Sequence, residues 1–159
     1  MAKVRPIPEG YHTLTPNLVV VDAARAIDFY KQAFGAQETV RMPGPDGRVM
    51  HAELKIGDSR VMLGEEMPDM GARSPKTYQG TPVSFYLYTA NVEQAWKRAL
   101  EAGAKEVSAL SDMFWGDRIG QVQDPFGHMW TLAQHVKDLT PEEMKKEQEA
   151  FFSQMHATR

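Results

Sequence analysis

Val83-Ser84-Phe85-Tyr86-Leu87-Tyr88-Thr89-Ala90-Asn91 has a counterpart earlier in the chain, Thr15-Pro16-Asn17-Leu18-Val19-Val20-Val21-Asp22. Each is a short run of β-branched or aromatic residues that ends on a helix-capping side chain, Asp22 or Asn91. Each cap opens an amphipathic stretch. The first carries Ile27, Tyr30 and Phe34 and closes at Gly35-Ala36; the second carries Val92, Ala95, Trp96, Ala99 and Leu100 and closes at Gly103-Ala104. The closing glycines stand 68 positions apart and the caps 69. A strand feeding a capped helix, written twice, predicts two similar half-domains.

Further strands follow each helix. The first set is Thr39–Met42, Val49–Ile56 and Arg60–Leu63, divided by the turns Gly44-Pro45-Asp46-Gly47 and Gly57-Asp58. The second is Lys105–Ala109, Ile119–Gln123 and Met129–Gln134, with a turn at Asp124-Pro125-Phe126-Gly127 and a loop or strand end over Phe114–Arg118. The first strand is expected over His12–Val21, preceded by an extended arm with Pro6 and Pro8. The organisation is then an arm (1–11), a βαβββ module (12–64), a linker (65–80), a second βαβββ module (81–136) and a C-terminal helix (137–159). That is an α+β chain of two tandem modules with curved mixed sheets. Thr140-Pro141-Glu142-Glu143 reads as a capping box, and Met144, Phe151, Phe152 and Met155 fall near one helical face. Such a face packs on its own domain or on a partner subunit.

With 159 residues, 42% of them hydrophobic, the chain suits one domain or two small modules sharing a core. A net charge of −3 and no basic patch argue against nucleic acid as a partner. Cysteine is absent, which excludes disulfides, thiolate chemistry and Cys-based zinc sites. No apolar run is long enough to span a bilayer, and Met1–Thr15 has no apolar leader core. The expectation is a soluble, cytoplasmic protein without a membrane partner. Walker A, GxGxxG and GxSxG patterns are missing.

Several segments in order resemble the vicinal-oxygen-chelate superfamily of glyoxalase I, bleomycin-resistance proteins, fosfomycin-resistance enzymes and extradiol dioxygenases. They are Ala26-Ile27-Asp28-Phe29-Tyr30 leading to Phe34-Gly35-Ala36, the run Pro43–Glu53, and Asp124-Pro125-Phe126-Gly127-His128. Pro43–Glu53, together with Phe114-Trp115-Gly116-Asp117-Arg118, is similar to the PhnB-like branch. The resemblance covers roughly residues 10 to 136. It implies a cup-like inner face on each sheet, a helix on the outer face, and a ligand pocket enclosed by paired modules.

Strand parity then sorts the side chains. With Leu18 and Val20 on the helix, Thr15, Asn17 and Val19 face the cup; Ser84, Tyr86 and Tyr88 do the same on the second module. His51 and Glu53 face the cup opposite Ala52 and Leu54, and Thr131 lies inward between Trp130 and Leu132. Tyr86 and Tyr88 offer flat faces for a ring-bearing ligand. Trp115 is placed as a pocket wall, and Arg118 as a clamp for a carboxylate or phosphonate, with an Asp117–Arg118 salt bridge as its alternative. His128 shares parity with Trp130 and is expected to point away from the cup; His135 is read as a surface residue.

Metal-using members of the superfamily place His, Glu or Gln near the start of each module's first strand and within its last. Carried over by spacing, those positions fall at Thr15, Ser84, Thr131 and around Val61–Leu63. Hydroxyls and aliphatics are poor ligands for zinc, nickel or iron. The resemblance therefore implies a small-molecule ligand, no resident metal and a homodimer. His51 and Glu53 leave three alternatives open: an acid–base pair for glyoxalase-type lyase or isomerase chemistry, a divalent metal at an offset site joined by His12, or a hydrogen-bonded polar pair.

Overall fold

A computed structural model describes residues 4–157, with side chains as far as Gln154. Residues 1–3, 158 and 159 and the Met155 side chain, assigned above to the apolar helix face, lie outside the described residues.

Two four-stranded mixed sheets carry the fold. The first runs β1 (Asn17–Val20), β4 (Ser59–Glu65), β3 (Val49–Ile56), β2 (Gln37–Pro43); the second runs β5 (Ser84–Tyr88), β8 (Met129–His135), β7 (Asp117–Gln123), β6 (Lys105–Asp112). In each sheet the first strand lies parallel to the last, and the remaining pairs are antiparallel. Helix α1 (Ala23–Phe34) follows β1, and α3 (Val92–Glu101) follows β5. Between the modules, α2 (Pro75–Tyr78) and a 3₁₀ turn at Pro68–Met70 occupy the linker. The Glu66 carboxylate anchors α2 by accepting from Ser74 N (2.6 Å) and Thr77 Oγ1 (2.7 Å).

The caps lie where the residue types require. Asp22 Oδ1 accepts from Arg25 N at 3.2 Å, and Asn91 Oδ1 from Gln94 N at 3.0 Å. Gly35 ends α1 at φ 66°, in the left-handed region that favours glycine. The turn of α1 toward the sheet is fixed by Glu65, whose carboxylate accepts from the helix's first N–H at Ala23 (2.6 Å).

Both modules share one core. Ala26, Ile27, Tyr30, Ala33 and Phe34 of α1 are buried together with Val92, Ala95 and Ala99 of α3 and the sheet residues Leu18, Val20, Leu54, Leu63, Val122, Trp130 and Leu132. Rings cross the module boundary: Phe34 lies 4.7 Å and Tyr30 5.6 Å from Trp130, centroid to centroid. Inside that contact the Asp124 carboxylate accepts from Tyr30 OH (2.7 Å) and Trp130 Nε1 (2.9 Å), and from the backbone N–H groups of Phe126 and His128 (both 2.9 Å). His128 is buried on the core side, its Nε2 3.1 Å from the Val19 carbonyl oxygen. The Trp96 indole reaches the second sheet only because position 120 lacks a side chain: a Cβ on Gly120 would come within 2.5 Å of Cζ3.

The largest boundary differences from the sequence expectation lie in β1, β6 and β7. The first strand is shorter, beginning at Asn17 rather than His12. Pro16 has no N–H to donate, and residues 11–16 instead lie irregularly beside the first sheet. β6 runs on to Asp112 with shifted register against β7, and β7 starts at Asp117. An enclosed pocket between the two cups is also corrected. Because α1 and α3 share the core, both sheets turn their helix-covered faces inward, and the cup side of β5 stays open: Tyr86 and Tyr88 are 53% and 59% exposed.

On the surface, Glu38 ties α1 to β2. It sits 2.5 Å from both Lys31 Nζ and Arg41 Nε. Hydrogen bonds from Arg41 and then Lys31 lower its carboxyl from the ordinary 4.5 to about 2. A lowered folded pKa gives stability that is complete above the unfolded value and drains away as pH falls toward the folded one. The Glu38→Gln variant is expected to lose about 1 kcal/mol at pH 7, since the partners are partly exposed, and to match the parent near pH 2. Urea melts across that pH range check the sign.

Candidate functional site

Two adjoining cavities lie where the arm, the first sheet and β5 meet. One, of about 390 Å³, is lined by His12, Leu14, Thr15 and Pro16, by residues 56–61, and by Phe85–Tyr88 with Trp130. It is therefore built from both modules. The other, of about 450 Å³, lies under the arm and is lined by Pro6, Ile7, Pro8, Tyr11, His12, Thr13, Thr15, Glu53 and Met62. His12 and Thr15 border both.

The polar centre of the second cavity is Glu53. Its carboxylate accepts from the Tyr11 hydroxyl and lies 3.4 Å from His51 Nε2. The Tyr11 bond, with a smaller contribution from His51, holds Glu53 below its ordinary value against the opposing effect of burial. Burial, and then the Glu53 carboxylate, push the Tyr11 phenol up. The Arg60 guanidinium covers the Tyr11 ring at 5.4 Å and donates to Thr39 Oγ1 at 2.7 Å. Tyr11 had no sequence signal as a site residue. It lies 42 positions from Glu53, in an arm without periodicity.

The remaining residues divide. Tyr86 and Tyr88 wall the inter-module cavity, their ring centroids 6.1 Å apart at 33°. Asn17 and His51 border a smaller hollow near Gly64. Position 64 must be glycine for β3 to pass, because a Cβ there would meet the Met50 carbonyl oxygen. Ser84 is exposed at the start of β5; Thr131 is buried, in register with Tyr86. Neither Ser84, Thr131, Trp115 nor Arg118 lines a cavity described here.

Arg118 needs correction as a cup-side clamp. It pairs with Gln134, in the same alternation as Gly120 with Leu132, so it points to the helix side. There it bonds Asp112 (2.9 Å) and Glu93 of α3 (2.9 Å). The Asp117–Arg118 salt bridge fails for the same reason: adjacent strand residues face opposite ways. Asp117 is buried on the cup side, where it accepts from Tyr88 and Trp115 and lies 2.7 Å from His135 Nδ1; His135 is an exposed surface residue, as expected, with its ring engaged by Asp117 and Asp138.

This geometry meets its counterparts among known proteins. A family model for the glyoxalase/bleomycin resistance protein/dioxygenase superfamily matches residues 11–132. The chain belongs to that superfamily. A Mycobacterium tuberculosis protein, Rv0887c, is 50% identical over 135 residues, covering 83% of this chain and 79% of the relative. Among solved structures, TioX from Micromonospora sp. ML1 is 27% identical with a TM-score of 0.62, covering 79% of this chain and 99% of TioX. The Arabidopsis thaliana At5g48480 product is 29% identical with a TM-score of 0.63, covering 77% and 98%.

Against the superfamily's metal pattern, the donor chemistry does not fit. Thr15, Ser84 and Thr131 offer only neutral hydroxyls. Among the described residues no three His, Asp or Glu side chains converge as a metal site, and Glu53 is already engaged by Tyr11 and His51. Among the described residues, too, no helix is long and apolar enough to cross a membrane.

Removing the Tyr11 hydroxyl tests the arm's role. Tyr11→Phe is expected to destabilise by about 1 kcal/mol, the net worth of one hydrogen bond, and to raise the Glu53 pKa. Glu53 titration by NMR, and trypsin cleavage of the arm in parent and variant, check both effects.

Proposed function

We propose that this superfamily member binds a small organic ligand in the cleft between its modules, without the superfamily's usual metal. The observation that carries the reading is the cavity of about 390 Å³ lined by His12, Thr15 and residues 56–61 of the first module and by Tyr86 and Tyr88 of the second. That volume suits a ligand of drug-like size, and two exposed phenol rings on one wall favour a ring-bearing molecule. Thr15, Arg60 and His12 supply polar contacts for its orientation. A homodimer is part of the proposal: the exposed Met144 and Phe152 of helix α4 (Pro141–Ala157) leave apolar surface for a second copy to cover.

A ligand that binds only the folded state raises the melting temperature. A panel of ring-bearing and acyclic compounds, read by thermal melting of the full chain, is expected to yield ring-bearing stabilisers that lose their effect in Tyr86→Ala. A panel in which no compound raises the melting temperature refutes the proposal.

One observation favours a second reading, glyoxalase-type lyase or isomerase chemistry: His51 Nε2 lies beside the Glu53 carboxylate on the cup side. A His–carboxylate pair is suited to abstracting a proton next to a carbonyl. Deuterium wash-in from D₂O into α-hydroxyketones, lost in His51→Gln, supports that reading; its absence across the panel leaves binding alone.

A further inference from the structure

The strongest unassigned cluster sits on the cup side of the second sheet, at the far end of the tyrosine wall. Pairing places Tyr86, Thr131 and Gln121 in one row, Tyr88, Ala133 and Ile119 in the next, and His135 with Asp117 in the last. All share one face. Asp117 is buried, and both its carboxylate oxygens are engaged: Tyr88 OH donates to Oδ2 at 2.8 Å, Trp115 Nε1 to Oδ2 at 3.2 Å, and His135 Nδ1 lies 2.7 Å from Oδ1. An ionised carboxylate only accepts, so Nδ1 carries a proton. The other ring nitrogen, Nε2, faces out and lies 3.0 Å from the carboxylate of Asp138, whose side chain is fully exposed on the segment after β8.

We propose that His135, held in place by Asp117, is the anchor for the carboxylate of a ring-bearing ligand whose ring lies against Tyr86 and Tyr88. Asp138 is the stand-in that shows how. It puts an oxyanion on Nε2, comes from a solvent-exposed segment, and has no second partner among the hydrogen bonds and ion pairs of the described residues. A ligand carboxylate replaces it one for one, so no extra charge accumulates in the cluster. Thr131 and Ala133, in register with Tyr86 and Tyr88, are themselves buried, so the surface open to a ring is that of the two tyrosines, 53% and 59% exposed. His135 lies two residues beyond Ala133, roughly 7 Å along the strand, a span that a ring with a one-carbon arm bridges.

Charge favours the assignment. Hydrogen bonds from Asp117 and then Asp138 raise the His135 pKa, so the imidazolium persists to higher pH than in a free histidine. The charged and titratable groups facing it are Asp117 from β7, Tyr88 from β5, and Asp138 with Lys137 from the following segment; Lys137 is drawn toward Glu147 of α4 at 3.9 Å. Binding is therefore strongest below the raised pKa and weakens as pH rises through it.

This inference rests on the cleft-binding reading, and the experiment separates the two. The full chain is titrated with phenylacetate, acetate and neutral 2-phenylethanol, by calorimetry and by ¹⁵N NMR of the His135 imidazole. Phenylacetate is expected to bind more tightly than either analogue and to shift the Nε2 resonance. Asp138→Asn, which leaves the buried carboxylate untouched, is expected to tighten phenylacetate several-fold, and His135→Gln to weaken it about tenfold or more. Phenylacetate binding with an unmoved Nε2 resonance and no change in Asp138→Asn overturns the carboxylate anchor but leaves the cleft as a binding site. Acetate binding as tightly as phenylacetate overturns the ring contact. Failure of all three compounds to bind overturns this inference, whereas the cleft reading is judged by the wider melting panel.

Discussion

Replacing Asp124 by alanine is expected to cost about 3–5 kcal/mol and to lower the melting temperature by roughly 10 °C, the largest loss of any single polar substitution in this chain. The carboxylate is 3% exposed and receives donors from both modules: Tyr30 OH from α1, Trp130 Nε1 from β8, and two backbone N–H groups of its own turn. Alanine strands all of them in a site water cannot reach. Each buried donor left unmade costs about 1–3 kcal/mol. The Tyr30 phenol, held high by burial and then by Asp124, cannot escape by ionising. Asp124→Asn keeps an acceptor and the side-chain volume, and is expected to recover about half the loss. Calorimetric melting of both variants checks the order. Because Asp124 and Tyr30 are 94 residues apart, the alanine variant also reports on coupling. Two resolved unfolding transitions in it, against one in the parent, identify this contact as what joins the modules.

The twinned layout was legible because it rests on local signals. Caps, closing glycines and strand parity are read within a few residues, and Leu18, Val20, Ala52, Leu54 and Leu132 all point inward as their alternation requires. Long-range pairings were not legible. Nothing near Tyr11 marks it as Glu53's partner, because the arm has no periodicity and the bond spans 42 positions. The faces of Arg118 and Asp117 were hidden for a simpler reason: the sequence over Phe114–Arg118 fits a loop as well as a strand end, and without strand parity the two neighbours cannot be assigned to opposite faces. How the sheets turn relative to one another was likewise hidden. It depends on Phe34 and Tyr30 meeting Trp130, a contact between modules that no single element encodes.

The double variant Tyr86→Ala/Tyr88→Ala is expected to weaken binding of any ring-bearing ligand by about 100-fold, with a loss of about 1–2 kcal/mol for each ring contact removed. Folding is expected to suffer less, since both rings are more than half exposed and neither belongs to the shared core. The two substitutions are not equivalent. Tyr88 also donates to Asp117, so its removal unsettles the His135 cluster, whereas Tyr86 makes no such bond. Tyr88→Phe separates the effects: it keeps the ring and drops the hydroxyl. Ligand titrations on the three variants, alongside melts without ligand, give both numbers. An affinity unchanged in the double variant removes the tyrosine wall from the account.

The most direct test is a crystal structure of the full chain with the compound that most raises its melting temperature. The account predicts density packed on Tyr86 and Tyr88 and reaching toward Thr15 and His12. Density at a distant surface contradicts it, and so does a first-row metal ion coordinated by Thr15, Ser84 or Thr131.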